Sequence, residues 1–216
     1  MSNRLENLAT AVLVACAVTV TTLAVMKVRA QKETAAPPVA LALAAAAPGL
    51  YDGRIRTGAV PTRSKVVVVE FADFQCPFCA RAAERLAALE AEWPDALTVI
   101  HRHFPLTERH PHAWTAAIAS ECAHQQGRIV EFRKVAFSRQ AEIGIREWEW
   151  FAQEAGVDDL SAFNECMKDD GPADAVREDV QLGNTIGVPA TPAFVVRDKM
   201  YIGQAALDVV ERLLRG

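Results

Sequence analysis

The chain has no excess of basic residues, since 23 Lys and Arg stand against 27 Asp and Glu, for a formal net charge of -4. A nucleic-acid partner is therefore not expected. Cysteine is scarce, with five residues in 216, too few for a small disulfide-held fold but enough for one catalytic pair, one structural pair and one leftover. Internal repeats are absent too. A composition of 51% hydrophobic and 23% charged residues is typical of one globular domain of about 160 residues with an appendage.

The appendage begins with an uncharged, apolar run from Leu8 to Met26. As a helix, this run is long enough to cross a bilayer core of about 30 Å. Its length and the basic residues directly after it favour a retained anchor over residues 1–29, with residues 8–26 spanning, and a cleaved secretory signal is the alternative. Residues 30–61 are rich in Ala and Pro and are interpreted as a tether.

Residues 62–216 are expected to form the folded domain. Unbroken valines from Lys65 to Phe71 predict a buried strand, Pro77 to Glu92 a helix, and Leu97 to Phe104 a second strand. A helical pattern follows over about 110–186 without any strand signal, and two short strands and a helix close the chain. The predicted order is thus β-α-β, an all-helical insertion, then β-β-α, which is an α/β fold.

The dithiol Cys76-Pro77-Phe78-Cys79 lies where the first predicted strand passes into the first helix. Pro77 suits the first helical position. The sulfur of Cys76 is then expected over the helix N-terminus, whose positive end favours the thiolate and lowers the pKa below the free value of about 8.5. Cys79 lies on the same helix face, within disulfide reach. The Cys-x-x-Cys pattern also serves as half of a zinc site, which remains an alternative.

Several motifs together resemble the DsbA-like family of thiol-disulfide oxidoreductases, in which a helical domain is inserted into a thioredoxin fold. The matching segments are Val69-Glu70-Phe71, Asp73-Phe74-Gln75-Cys76-Pro77-Phe78-Cys79, Arg102-His103-Phe104-Pro105-Leu106, Glu121-Cys122-Ala123 and Val188-Pro189-Ala190-Thr191-Pro192. The resemblance covers roughly residues 60–216, leaving out the anchor and the tether.

The resemblance implies that Cys76 is the attacking thiolate and that Cys79 closes or resolves the disulfide, so that the redox-active Cys76–Cys79 disulfide replaces any cofactor. It also implies that Thr191 and Pro192 form a cis-proline loop beside the dithiol, with Pro189 as the competing position for the cis bond. A cis proline leaves the backbone of Thr191 available to pair with an extended substrate.

Three residues near the cysteines are expected to tune the dithiol. Glu70 matches a buried acidic residue of the family, which would accept a proton from Cys79 or tune the thiolate. Pro77 and Phe78 occupy the dipeptide between the cysteines. Because Phe78 offers neither charge nor hydrogen bond to Cys76, unlike the Pro-His of the strongest oxidants in the family, we predict a weaker oxidant.

Two further groups of residues have competing interpretations. Cys122 and Cys166 lie in the helical insertion, and the resemblance implies a structural disulfide between them, whereas two buried free cysteines are the alternative. The histidine cluster His101, His103, His110 and His112 suggests a metal, but no cysteine or carboxylate pair is spaced to complete a site. No metal is therefore expected.

The sequence thus predicts a single-pass, membrane-tethered enzyme that exchanges disulfides with reduced or misfolded polypeptides and is reset by a separate membrane or soluble redox partner. Basic residues after the anchor would place the C-terminal side in the cytoplasm by the positive-inside rule. Disulfide chemistry belongs in an oxidising compartment, and on that ground we expect the catalytic domain on the extracytoplasmic, periplasmic side. The alternatives are a reductase or isomerase fed by a membrane electron donor, and a chaperone-like peptide-binding module.

Overall fold

The computed structural model describes residue 47 and residues 49–53, 55–58 and 64–216. The predicted span, residues 8–26, and most of the predicted tether lie outside these residues. Within the described part of the chain, every helix is too short or too polar to cross a membrane.

The helices and strands follow the order expected from the sequence, with one additional strand at the start. In chain order they are β1 (Ile55–Gly58), β2 (Val66–Ala72), α1 (Pro77–Glu92), β3 (Leu97–His103), α2 (Ala113–Gln125), α3 (Ile129–Ser138), α4 (Trp148–Glu154), α5 (Leu160–Cys166), α6 (Asp170–Thr185), β4 (Ala193–Val196), β5 (Lys199–Ile202) and α7 (Ala205–Arg215). A short 3₁₀ turn, Gln140–Glu142, joins α3 to α4.

One mixed sheet carries the strands in the order β1-β3-β2-β4-β5. β2 and β3 pair in parallel, with α1 as the crossover between them, and the other pairs are antiparallel. α1 and α7 cover one face of the sheet through Leu86 and Leu207, which pack with Val68. α6 covers the other face, where Leu182 packs with Phe71. Because β2 is enclosed on both faces, its valine run is apolar at successive positions.

β1 was not expected, since residues 30–61 were assigned to the tether. The strand pairs with β3 through Ile55 and His101, and Leu50, before it, is buried with Ile100 in the core. The sheet and its core therefore include residues that precede residue 62. β1 is short, and its only neighbour is distant in sequence, so local periodicity gave no signal for it.

Helices α2 to α5 of the insertion pack against the end of β2, whereas α6 covers a face of the sheet. Phe74, which follows β2, contacts Phe132 and Phe137 of α3, with ring centroids 6.4 and 4.8 Å away. Cys76 and Cys79 belong to this same buried cluster. The dithiol therefore lies at the junction between the sheet and the insertion.

Candidate active site

Cys76 is the N-cap residue of α1, and Pro77 is the first residue of that helix. The first turn of α1 contains no acidic residue, so no carboxylate there opposes the positive end of the helix. Cys76 keeps 4% of its surface exposed, whereas Cys79 is fully buried. Both cysteines are free thiols. Only Cys76 is thus accessible to another molecule.

The surroundings of Cys76 favour its thiolate. A hydrogen bond from the Cys79 thiol lowers the pKa of Cys76 to about 5 against the opposing effect of burial, and the Thr191 side chain and the backbone N-H groups of Cys79 and Phe78 add to this. The Thr191 hydroxyl is buried and has no partner while Cys76 is a thiol. Deprotonation of Cys76 gives this hydroxyl an acceptor.

Cys79 has the opposite character. Burial, Cys76 and the carboxylate of Glu70 all raise the pKa of Cys79, and the backbone N-H of Asp73, 3.5 Å from its sulfur, offsets them only in part. The two thiols of one motif therefore differ in protonation, which is the division of roles that a nucleophile and a resolving thiol require.

The loop before β4 lies against Cys76. Among the described residues, the one cis peptide bond joins Thr191 to Pro192, so the bond before Pro189 is trans. The Cys76 thiol donates to the carbonyl oxygen of Thr191 at 3.4 Å. The backbone beside the attacking sulfur is thus the Thr191–Pro192 loop named from the sequence.

Asp73 organises the turn that carries Cys76. Its carboxylate accepts from the backbone N-H of Gln75 at 2.7 Å and of Leu106 at 2.8 Å, and it lies 2.8 Å from Nδ1 of His110. The side-chain oxygen of Gln75 in turn accepts from the backbone N-H of His112 at 2.6 Å. The dithiol turn is therefore bound to the segment that leads into the insertion.

Glu70 is fully buried on β2 and has two partners. Arg133, on α3, donates to it at 2.6 Å, and Nδ1 of His101 lies 3.2 Å away. Burial raises the pKa of Glu70 although Arg133 opposes this, and burial together with nearby cations holds the pKa of His101 well below its ordinary value. A neutral His101 that carries its proton on Nδ1 donates to Glu70, which leaves Arg133 as the counter-charge.

Comparison with known families identifies this arrangement. A family model described as thioredoxin matches residues 57–215. The chain belongs to the thioredoxin family. With its all-helical insertion between β3 and β4, the fold is the DsbA-like form of thioredoxin expected from the sequence, and the dithiol fits thiol-disulfide oxidoreductase chemistry.

Solved structures and curated proteins give two kinds of relative. A thioredoxin-like oxidoreductase from Silicibacter pomeroyi DSS-3 is 26% identical, with a TM-score of 0.64 over 78% of this chain and 97% of that one. The thiol-disulfide exchange protein alpha-DsbA2 from Wolbachia pipientis, 19% identical with a TM-score of 0.67 over 82% and 96% of the two chains, shares the fold. The Na(+)/H(+) antiporter NhaA 3 of Salinispora tropica is 31% identical over 69% of this chain, which spans 23% of the antiporter's length.

Within this thioredoxin-family insertion, Cys122 of α2 and Cys166 of α5 form a disulfide. The disulfide links two helices, and its two cysteines are separated by 44 positions in the sequence. Of the five cysteines, Cys16 lies outside the described residues.

The four clustered histidines point to different partners rather than to one metal. His101 lies beside Glu70, His103 beside Glu121 and His110 beside Asp73, while the ring of His112 contacts Gly144. Ligand atoms of His103, Glu121 and Asp179 lie within 4.8 Å of one another. However, Arg102 donates to Asp179 at 2.8 Å, and this cation neutralises a carboxylate that a metal would need. Among the described residues, no such group includes Cys76 or Cys79.

Asp73, Arg133 and Gln140, whose side-chain amide donates to the carbonyl oxygens of Phe74 and Cys76, are parts of the site that were not predicted from the sequence. Asp73 had a local signal, because an Asp two residues before Gln75 is typical of a side chain that caps a turn. Arg133 and Gln140 had none, since each comes from the insertion and reaches the dithiol region only in the folded chain. Phe78, by contrast, is 55% exposed, with Arg81 stacked 4.6 Å from its ring centroid.

Proposed function

We propose that this chain is a membrane-tethered thiol-disulfide oxidoreductase that exchanges disulfides with polypeptides outside the cytoplasm through Cys76 and Cys79. The observation that carries the proposal is the contrast within the dithiol. Cys76, which keeps 4% of its surface exposed, has a pKa lowered to about 5, whereas the pKa of the fully buried Cys79 is raised.

This contrast defines the order of the reaction. A substrate thiolate attacks the sulfur of Cys76 in the Cys76–Cys79 disulfide, which breaks the S-S bond and releases Cys79 to take up a proton. A second substrate thiolate then attacks the substrate sulfur of the mixed disulfide and releases Cys76 as a thiolate. Because Cys76 is a stable thiolate, it is a good leaving group in this step. The substrate loses two electrons and two protons. The enzyme gains both electrons and one proton, which Cys79 carries, while the other proton goes to solvent and Cys76 stays a thiolate.

The substrate class follows from the backbone beside Cys76. The Thr191–Pro192 loop lies within hydrogen-bond range of the sulfur, and an extended chain pairs with backbone groups in such a position by strand addition. Phe78, two residues along the chain from Cys76, is exposed and offers an apolar contact. A reduced or misfolded polypeptide suits this surface, because backbone pairing does not depend on one side-chain sequence.

The location is proposed from the sequence. The run from Leu8 to Met26 is interpreted as a single anchor, and a dithiol that makes disulfides acts in an oxidising compartment. A separate redox partner, in the membrane or soluble, accepts the two electrons that each cycle leaves on Cys76 and Cys79.

Trapping of substrates in membranes tests the proposal. In a Cys79→Ser variant of the full chain, Cys76 still attacks disulfides of polypeptides, but no Cys79 thiol is present to break the mixed disulfide by the reverse of the first step. Polypeptides are therefore expected to accumulate in mixed disulfides with Cys76, on the side of the membrane where the domain lies. Cys76→Ser is the matched control and should trap nothing. If Cys79→Ser traps no polypeptide, or if Cys76→Ser retains full activity toward unfolded chains, the domain is not an oxidoreductase, and the second result assigns it to peptide binding.

A further inference from the structure

The carboxamide of Gln140 lies against the backbone of the dithiol turn. Its Nε2 donates to the carbonyl oxygen of Phe74 at 2.6 Å and to that of Cys76 at 2.9 Å. These carbonyls belong to the peptide groups on the two sides of the Gln75–Cys76 segment. One side chain of the insertion therefore holds the backbone both before and after the attacking cysteine.

Gln140 is itself fixed in place. It begins the 3₁₀ turn between α3 and α4, and the same loop packs closely on His112 through Gly144. A Cβ atom on Gly144 would lie 2.6 Å from the His112 ring, and its φ of +88° favours glycine. Since the backbone of His112 is bonded to Gln75, the loop and the dithiol turn share a common support.

The two bonds of Gln140 are not equivalent. The Cys76 carbonyl also accepts from the backbone N-H groups of Cys79 and Ala80, so it keeps partners without Gln140. Among the described hydrogen bonds, the Phe74 carbonyl accepts only from Gln140. An unpaired carbonyl in this buried turn is unfavourable. Loss of the amide therefore favours a rearranged turn.

The thiolate of Cys76 depends on the geometry of this turn. Its stabilisation includes backbone N-H groups of Phe78 and Cys79, and whether those groups face the sulfur is set by the backbone angles at Cys76. Pro77 has no N-H to offer in their place. A rotation of the peptide groups around Cys76 thus moves the sulfur away from the donors.

We propose that Gln140 is a positioning residue for the dithiol: by donating to Phe74 and Cys76, it holds the turn so that the Cys76 thiolate faces the N-terminus of α1 and the Thr191 hydroxyl. The catalytic meaning of this role rests on the proposed function. The insertion then does more than frame the site, since it sets the reactivity of a cysteine that belongs to the thioredoxin core.

Titration of the Cys76 thiolate tests the proposal. In the reduced full-length protein, the pH midpoint of thiolate ultraviolet absorbance is measured for the wild type and for Gln140→Leu, which keeps the bulk but removes the donors. We expect Gln140→Leu to raise the midpoint by about one pH unit, the effect of one lost hydrogen bond to the thiolate's surroundings. Gln153→Leu is the matched control, because Gln153 lies exposed on α4 and should leave the midpoint unchanged.

Two further results keep the test decisive. If Gln140→Leu fails to fold, Gln140→Asn carries the same prediction, since its amide stops one methylene short of the two carbonyls. A lower unfolding temperature with an unchanged midpoint makes Gln140 purely structural and overturns the proposal. Wild-type protein that has a low midpoint but exchanges no disulfide with a reduced, unfolded polypeptide refutes the proposed function and leaves the positioning role standing.

Discussion

The two cysteine pairs of the described residues differ in their bonding and in their surroundings. Cys76 and Cys79 lie one helical turn apart and are free thiols, whereas Cys122 and Cys166 come from different helices and are joined. Cys76 keeps a small exposed area at a helix N-terminus, beside the Thr191 carbonyl. Cys122 is buried within the helical insertion. The first pair is arranged to react and the second to hold two helices together.

The comparison teaches that the surroundings, rather than the cysteines themselves, decide the chemistry. Around Cys76, donors outweigh the cost of burial, so the charged form is favoured at neutral pH. Cys79, three positions along the chain, lacks comparable donors and stays protonated. Four predictions test this contrast, beginning with the largest effect.

Alkylation of the reduced protein separates the thiols by pH. We expect Cys76 to react with iodoacetamide with a half-maximal rate near its pKa of about 5, more than three pH units below a free thiol, while Cys79 stays unmodified. Peptide mapping by mass spectrometry assigns the sites, and an unfolded sample of the same chain is the control. A Cys76 midpoint close to that of the unfolded chain would remove the basis of the contrast.

Removal of the second pair should affect stability alone. Cys122→Ser combined with Cys166→Ser opens a loop with a sequence separation of 44, and the chain-entropy model gives a loss of about 3 to 4 kcal/mol in the free energy of unfolding. Urea denaturation measures this, with Cys16→Ser as the control. Loss of disulfide exchange at a temperature where the double variant remains folded would contradict the division of roles.

Replacement of the buried carboxylate tests how Cys79 is activated. Burial raises the pKa of Glu70, which suits a group that takes a proton from Cys79 and gives it up again. We expect Glu70→Gln to slow the attack of Cys79 on the mixed disulfide, which is the reverse of the first step proposed above, by about a hundredfold, measured by rapid quenching of single turnovers. Glu121→Gln, which removes another buried carboxylate beside a histidine, is the control for lost stability. If Glu70→Gln instead makes Cys79 attack faster, the charge of Glu70 only raises the pKa of Cys79 and Glu70 does not take up its proton.

The smallest expected effect comes from changing Phe78, in the dipeptide between Cys76 and Cys79, and it concerns the reduction potential. Because the Phe78 side chain is exposed and offers the Cys76 sulfur no hydrogen bond of its own, we predict a reduction potential between about -270 and -120 mV, the values of thioredoxin and of the strongest oxidants. Phe78→His should raise it by about 30 mV, a tenfold change in the equilibrium constant with glutathione. Phe74 and Phe137, which are buried, offer no matched position, so Val130→His, exposed on α3, serves as the control. A wild-type potential at or above the upper limit would contradict the prediction.

Much of the fold follows from local patterns. The valine run, the Pro77 start and the alternation after Leu97 predict β2, α1 and β3 because burial on both faces, a missing N-H and a period of two are local properties. The all-helical character of residues 110–186 was predicted for the same reason, and the structure has five helices there. The Cys122–Cys166 pairing came from family resemblance rather than from local pattern.

Other parts had no local signal. β1 exists because β3 offers it an edge, and Leu50 is buried because Ile100 faces it. Arg133 carries a charge that any exposed helix tolerates, yet it is buried against Glu70. These residues acquire their roles from partners that lie far away in sequence.

The sequence by itself determined that a strand delivers two cysteines to the start of a helix, since the order of residues from Val66 to Cys79 is sufficient for that. Only the tertiary structure decided how the two thiols differ. The Thr191 carbonyl and the Gln140 amide reach the dithiol from distant segments, and Arg133 reaches Glu70 from another. A thiol's pKa depends on the donors and charges within a few ångströms of the sulfur, and folding is what brings them there.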